Sequence, residues 1–385
     1  MKKTILLALI ACWCISCKSD TVVTENSKND FFVIKKGDSS SDFNFKPESI
    51  EFIFLQEDRA QLSSILNLLQ YKDKFIIRSK NRNAIYIFKE NGELENIISP
   101  SGNGPLEFSE LSTLEIVDNN KLVISDNSNQ KLLIYDLLAD KMIKDIKIDY
   151  PVFAMKSHNN QLVMLANDIM EGNLKVVSNL DFDAIRSFQH GGEIANLVVS
   201  LDPFEIIDNS IYVNIGFSDT VFRYENEHFK TVAVLGENKS SMTSLESSYL
   251  KDKIMSRVLD EELQGMLIPQ GTFSTYGDNW VFPMFWASDF LLFNTKTKES
   301  KFINYKAAES IRGYTHGYYP RSFLNKNGYD YAFIMPDEKV LKYVEPLHKN
   351  GSITDDDYQL LLDYIEEGNE NPIITKYRYK SSFPY

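Results

Sequence analysis

The sequence predicts an all-β protein, a six-bladed β-propeller with small helical insertions. One turn-and-strand pattern recurs six times along the 385 residues, and repeats of this period are typical of propellers and solenoids. In each copy a polar turn precedes a short apolar strand. The first core residues of these strands are Phe75, Leu122, Leu162, Ile211, Trp280 and Tyr331. The steps between them are 47, 40, 49, 69 and 51 residues.

Each repeat continues as a meander of short strands. In the first copy the strand at 75–77 leads through a polar turn to a second strand at 85–88, and the Asn91-Gly92 turn leads to another. Four antiparallel strands form one propeller blade. A six-membered solenoid is the alternative, but neither end of the sequence carries an obvious cap.

Ring closure and two helices complete the predicted fold. Because closure removes exposed strand edges, we expect the segment at 52–54 to join the last blade, made by residues 323–380. The long step before the fifth copy contains a predicted helix at about 243–266. A second helix is predicted at about 354–367, with aspartates in its first turn.

The N-terminus is interpreted as a targeting segment. Lys2 and Lys3 precede an apolar run that is too short to span a bilayer. Ser16 before Cys17 looks like a bacterial lipobox, in which Cys17 would be lipidated, although Cys14 stands where Leu is usual. A plain signal peptide cut near Ser16 is the alternative. The predicted organisation is a lipoprotein signal peptide at 1–16, a tether at 17–30 and the propeller at 31–385.

Composition excludes several function classes. All three cysteines lie in the first 17 residues, so the mature domain has no disulfide, thiolate nucleophile or cysteine-ligated zinc. The formal charge is −13, and removal of Lys2 and Lys3 with the signal peptide takes it to −15. Such a surface repels phosphate backbones, which excludes nucleic acid as a partner. Membrane attachment is expected through the lipid anchor only.

A short motif carries a family resemblance. The loop after the first blade reads Gly102-Asn103-Gly104-Pro105-Leu106-Glu107-Phe108. It resembles the Gly-x-Gly-Pro-x-Glu-Phe/Tyr signature of Bacteroides-type six-bladed β-propeller lipoproteins, which are similar to NHL-repeat and TolB-like propellers. The ending from Asn371 to Ile374 resembles their closing strand. The resemblance implies a propeller in the bacterial cell envelope, lipid-anchored at the outer membrane, but no substrate.

The motif is interpreted as a structural turn. Gly102 and Gly104 permit backbone angles that are closed to other residues, and Pro105 fixes its own φ. Glu107 is expected to accept hydrogen bonds from loop amides, and Phe108 to fill the gap between two blades.

An aromatic and arginine-rich connection before the sixth blade is the predicted ligand site. Such connections open on the face with the channel mouth, aromatic rings stack on sugar faces or peptide side chains, and arginine binds carboxylates. The alternative is that the rings fill gaps between blades. The ligand-binding candidates are Phe285, Trp286, Asp289, Arg312, Tyr314, His316, Tyr318, Tyr319 and Arg321.

No recognisable catalytic motif is present in the sequence. Asp126, Asp219 and Asp289 fall in equivalent turns and could hold a divalent cation, although turn chemistry alone favours aspartate there. No other cofactor is predicted. The sequence therefore predicts a binding or scaffolding module for a glycan, peptide or envelope protein. The alternative is a hydrolase or lyase on the same face.

Overall fold

The computed structural model describes residues 31–35, 37–40, 47–56, 61–80, 83–166, 174–178, 182, 185–188, 202–216, 218–236, 267, 269, 271–284, 290–303, 324–326 and 328–379. Three strands precede the first complete blade. They are β1 (Phe32–Ile34), β2 (Asp38–Ser40) and β3 (Pro47–Phe54).

Six sheets form six blades, as the sequence predicts. Within each blade the strands follow one another outward as an antiparallel meander. Blade 1 contains β4 (Ile65–Tyr71), β5 (Lys74–Ser79), β6 (Ile85–Lys89) and β7 (Leu94–Ile98). Blade 2 contains β8 (Leu111–Val117), β9 (Lys121–Asp126), β10 (Lys131–Asp136) and β11 (Lys141–Lys147). Blade 3 contains β12 (Val152–His158), β13 (Gln161–Ala166), β14 (Leu174–Val177) and β15 (Ile185–Phe188).

The remaining three blades each include an N-terminal strand. Blade 4 contains β16 (Phe204–Ile207), β17 (Ser210–Asn214), β18 (Thr220–Glu225), β19 (His228–Leu235) and β1. Blade 5 contains β20 (Ser274–Tyr276), β21 (Asn279–Pro283), β22 (Phe290–Asn294), β23 (Ser300–Ile303) and β2. Blade 6 contains β24 (Leu324–Lys326), β25 (Tyr329–Ile334), β26 (Ile373–Tyr379) and β3.

The second strand of a blade is apolar on both faces because it lies between two neighbouring blades. In β9, Leu122 and Ile124 pack with Ile76 of blade 1, whereas Val123 packs with Leu162 of blade 3. Alternate side chains of a strand point to opposite faces, so one strand contributes to two inter-blade cores. This explains why these strands read as continuous apolar runs.

The ring closes as the sequence predicts. The N-terminal strand β3 pairs antiparallel with β26, with Phe52 opposite Thr375. Asn371, which is 1% exposed, stabilises the closure by binding the segment that follows β3. Its Oδ1 accepts a hydrogen bond from the Leu62 amide at 2.7 Å, and its Nδ2 donates to the Gln56 carbonyl at 3.1 Å.

Two strands ahead of β3 form a strap on the outside of the ring, which the sequence did not predict. β1 pairs parallel with β19, and β2 pairs parallel with β23. They cover the outer edges of blades 4 and 5. The outer strand of blade 2, β11, has no neighbour beyond it among the described strands, and it carries lysines at 141, 144 and 147. Charged edge strands resist pairing with another chain.

A helical segment separates β25 from β26. It contains a 3₁₀ turn (Glu338–Val340), α1 (Leu341–Lys349) and α2 (Asp355–Glu366). α2 lies where the sequence predicts a helix, and Thr354 caps it by accepting a hydrogen bond from the Asp357 amide. The sequence did not predict α1. The helix predicted at 243–266 lies outside the described residues. Within the described part of the chain, no helix combines the length and the apolar character needed to cross a bilayer.

The two faces of the propeller carry different turns, because successive turns of an antiparallel meander lie at opposite ends of its strands. Turns between the second and third strands, and connections between blades, lie at one end of the strands, which we call the loop face. Turns between the first and second strands, and between the third and fourth, lie at the opposite end, which we call the hairpin face. α1 and α2 join a second strand to a third and therefore belong to the loop face.

Candidate functional site

The innermost strands of the blades surround the central channel. Three of them place a charged side chain at the same register position, two residues before the strand ends. These residues are Glu115 in β8, Lys156 in β12 and Glu205 in β16, opposite Val123, Val163 and Tyr212 of the adjoining strands. Because blades 2, 3 and 4 are consecutive, the charges follow one another around the channel as carboxylate, ammonium and carboxylate. We call these three residues the channel layer.

Neighbouring groups extend the layer. Asp202, just before β16, lines the same narrow cavity as Glu115 and Lys156. The hydroxyl of Thr275, in β20, donates a hydrogen bond to Glu205 Oε1 at 3.0 Å. The carboxyl groups therefore outnumber the single lysine.

Burial controls the electrostatics of the layer. Glu115 is only 9% exposed, and burial raises its pKa to about 7, although attraction to Lys156 and backbone hydrogen bonds partly oppose this change. Burial likewise raises the pKa of Glu205 to about 7. Glu205 and Lys156 are partly exposed, but the channel is enclosed by protein, so they remain poorly solvated.

Lys156 stays charged in this setting. Burial lowers its pKa, but attraction to Asp202, Glu115 and Glu205 outweighs that effect, so the pKa lies above its ordinary value. No direct ion pair joins Lys156 to these carboxylates among the described residues. The ammonium group is thus attracted by several carboxylates without being engaged by one. Chemically, the layer can donate and accept hydrogen bonds, bind a cationic group and exchange protons near neutral pH.

The glycine-rich loop at 102–108 is a structural element of the connection between β7 and β8. The Gly104 amide donates a hydrogen bond to Glu107 Oε2 at 2.9 Å, as expected from the sequence. A Cβ atom at position 102 would lie 2.1 Å from the same oxygen, which explains the glycine there. Phe108 is fully buried between blades 1 and 2.

Two of the three aspartates that the sequence offers as cation ligands form hydrogen bonds within the fold. Asp126 is fully buried and accepts hydrogen bonds from the amides of Ser109 and Glu110 and from the Asn129 side chain at 2.7 Å. Asp219 accepts a hydrogen bond from the Thr220 hydroxyl at 2.9 Å. The described residues contain no group of three or more histidine, cysteine, aspartate or glutamate side chains that could hold a metal ion.

Several predicted residues lie outside the described part of the chain. They occur between β21 and β22, between β23 and β24, and ahead of β1. The flanking strand ends belong to the loop face for the first two segments. The residues concerned are Cys17, Phe285, Trp286, Asp289, Arg312, Tyr314, His316, Tyr318, Tyr319 and Arg321.

One protein family matches most of the chain. Residues 33–378 match the family described as a domain of unknown function, DUF4934. The chain belongs to this family. No curated protein sequence matches it.

Several solved structures are similar to this DUF4934 protein to different extents. A protein of Bacteroides fragilis described as exported is 15% identical, with a TM-score of 0.66, and the match covers 90% of this chain and 99% of the other. Virginiamycin B lyase of Staphylococcus aureus is 11% identical, with a TM-score of 0.44 and coverages of 66% and 74%. The extracellular domain of a B. thetaiotaomicron protein described as a one-component system is 17% identical, with a TM-score of 0.40 and coverages of 67% and 29%. The likeness to the Bacteroides fragilis protein supports the propeller fold.

Sequence reasoning missed the channel layer of the DUF4934 protein. The signal was present, because Glu115, Lys156 and Glu205 each stand three residues before the first Asn or Asp of a repeated turn. Only the register between repeats brings them together. A search for local catalytic motifs cannot detect residues that are 41 and 49 positions apart.

Proposed function

We propose that this chain is an envelope-anchored propeller lipoprotein that acts as a binding or scaffolding module, with the loop face and the channel beneath it as its binding surface. The observation that supports this proposal is the channel layer. Glycans, peptides and partner proteins of the envelope are the candidate ligands.

The fold alone does not require these charges. At the same register position blade 1 has Leu69 and blade 5 has Ser274, so an apolar or small residue is compatible with the innermost strand. Burying charged groups that form no direct ion pair is unfavourable. A binding role explains why three consecutive blades carry them.

The layer restricts the ligand. The free space beside Glu115, Lys156 and Asp202 is about 30 Å³, room for one or two water-sized groups. A sugar ring or a whole peptide does not fit there. A hydroxyl or amine group of a larger ligand that enters the channel does, and the excess of carboxylates favours such hydrogen-bond donors.

Binding to a glycan array and a peptide library tests the proposal. We expect Glu115→Gln and Lys156→Met to weaken the strongest interaction about tenfold or more, since a charged hydrogen-bond partner contributes about 1.5–3 kcal/mol. Lys296→Met, at an exposed lysine in the hairpin-face turn between β22 and β23, is the matched control. No binding, or equal binding by all variants, would refute the channel as the site.

The loop candidates are tested in the same experiment. Trp286→Ala and Tyr318→Ala should weaken binding if the predicted aromatic site contacts the ligand. Binding unaffected by both substitutions would exclude that site while leaving the channel layer open to its own test.

Attachment to the outer membrane through Cys17 is part of the proposal. The Bacteroides fragilis protein with the same fold is described as exported, which is in keeping with an envelope location. Metabolic labelling with a fatty acid and membrane fractionation should show a labelled, membrane-bound protein. Cys17→Ser should abolish both signals, and an unlabelled wild-type protein would contradict lipidation. Protease treatment of intact cells distinguishes surface from periplasmic display.

A hydrolase or lyase acting on the same face is the second candidate function. Carboxyl groups with a pKa of about 7, as in Glu115 and Glu205, suit general acid–base catalysis near neutral pH. His316 and Arg321 are its further candidates from the sequence. Conversion of the ligand found by the binding screen, lost in Glu205→Gln, would favour this function. A bound ligand recovered unchanged after long incubation would exclude it for that ligand.

A further inference from the structure

A second cavity lies on the hairpin face, away from the loop face. It has a volume of about 360 Å³ and opens between blades 3 and 4. Cavities of this size are typical of sites for small molecules. We call it the hairpin cleft.

Three tight turns build the cleft. They join β12 to β13, β16 to β17 and β18 to β19. Both central residues of each turn have positive φ, the geometry of two-residue hairpin turns that fit the strand twist. These turn residues are Asn159, Asn160, Asp208, Asn209, Asn226 and Glu227. The walls of the cleft are therefore held by paired strands on every side.

Uncharged hydrogen-bonding groups dominate the lining. The side-chain amides of Asn159, Asn209 and Asn226 line the cleft, and none has a protein partner among the described residues. His158 also lines it, and its Nε2 atom is buried without a hydrogen-bond partner in the described structure. The three asparagines are exposed, so their amides are within reach of a ligand in the cleft.

The two glutamates of the lining already form ion pairs with arginines. Glu227 forms an ion pair with Arg186 of blade 3 at 2.6 Å, and Glu225 pairs with Arg223. The pKa of Glu227 is accordingly lowered by its hydrogen bond to Arg186. A charged ligand would have to compete with these pairs, whereas a neutral one would not.

We propose that the hairpin cleft binds the end of a neutral saccharide chain. Each amide offers two donors and one acceptor, which matches pairs of neighbouring hydroxyl groups on a sugar. The cleft is open at the surface, so the rest of a longer chain can extend into solvent. This site is separate from the channel layer and does not depend on the function proposed for it.

Saturation-transfer difference NMR with the full-length chain tests the proposal. The probes are neutral trisaccharides of glucose, mannose and N-acetylglucosamine, with a glucuronic acid trisaccharide as the charged comparison. We expect saturation transfer to at least one neutral probe and weaker transfer to the charged one. No transfer to any neutral probe, or stronger transfer to the charged probe, would overturn the proposal.

Glycine substitutions locate the site. Asn159→Gly combined with Asn209→Gly removes two amides while keeping the positive φ that glycine adopts freely, and should weaken binding about tenfold or more. Asn119→Gly is the matched control, because Asn119 has a φ of 60° against 61° for Asn209 and lies in the corresponding turn of blade 2. Equal loss in the control, or none in the double variant, would overturn the assignment. Glu115→Gln should leave this binding unchanged, which separates it from binding at the channel.

Discussion

Replacing Asn371 by alanine tests how the ring is held closed. The change leaves the buried Leu62 amide without its acceptor at 2.7 Å, which costs about 1–3 kcal/mol. The carbonyls of Gln56 and Leu55 also lose their donor, at 3.1 and 3.5 Å. These longer contacts add about 0.5–1 kcal/mol. We therefore expect the free energy of unfolding to fall by about 1.5–4 kcal/mol.

Urea denaturation followed by tryptophan fluorescence measures this change. An unchanged dependence of the unfolding free energy on urea concentration shows that the variant exposes the same amount of surface on unfolding. Asn91→Ala is the control, since Asn91 is exposed and, within the described part of the chain, its side chain accepts a hydrogen bond only from the Glu93 amide in its own turn. Asn371→Asp separates the two halves of the interaction, because it keeps the acceptor for Leu62 but cannot donate to the carbonyls. An alanine effect no larger than that of the control would refute the role assigned to Asn371.

Three further predictions concern other parts of the fold. Glu115→Gln should stabilise the protein above pH 7 by up to about 3 kcal/mol and leave its stability unchanged near pH 4. The reason is that the Glu115 carboxyl has a pKa of about 7 in the folded protein against an ordinary 4.5, so the wild-type protein loses stability as pH rises between these values. Parallel stability–pH curves for the wild type and the variant would contradict this. Gly271→Ala should destabilise the protein by about 2 kcal/mol more than Gly328→Ala. Both glycines have positive φ, but only a Cβ atom at position 271 would meet backbone, 2.0 Å from the Gly216 nitrogen. Equal denaturation midpoints for the two variants would contradict this. Replacing the three lysines of β11 by threonine should promote self-association through the exposed edge, measured by light scattering; a monodisperse variant would show that the edge is protected otherwise.

The blades could be predicted from the sequence because their signals are local. A turn with asparagine or aspartate followed by an apolar run, as at Asn160 to Met164, specifies a hairpin and its buried strand without knowledge of the rest of the chain. The closure by β3 followed from the requirement that a ring leave no open edge. Both were therefore accessible before the structure.

The strap and α1 could not be predicted in the same way. β1 and β2 are three residues long and pair in parallel with strands about 200 and 263 positions away, so no nearby turn fixes their partners. α1 contains Pro346, which normally argues against a helix interior. The packing of Val344 and Leu347 against blade 6 overrides that local preference.

The candidate site was only partly accessible from the sequence. The loop at 102–108 was predicted in detail because its residues interact with one another. The channel layer arises from three separate repeats, and its pKa values depend on burial, which the sequence does not display.

The strap also determines how the protein would respond to a mechanical pull on its N-terminus. Force applied there reaches β1 and β2 first, and each is held by only three residue pairs, whereas β3 is paired over most of its length with β26. The short strands should detach at low force while the ring stays shut. Releasing β1 and β2, which lie between residues 32 and 40, would lengthen the chain by up to about 30 Å, so single-molecule stretching should record a small first extension before the propeller unfolds. A protein tethered at that end would gain reach under load without losing its binding surface.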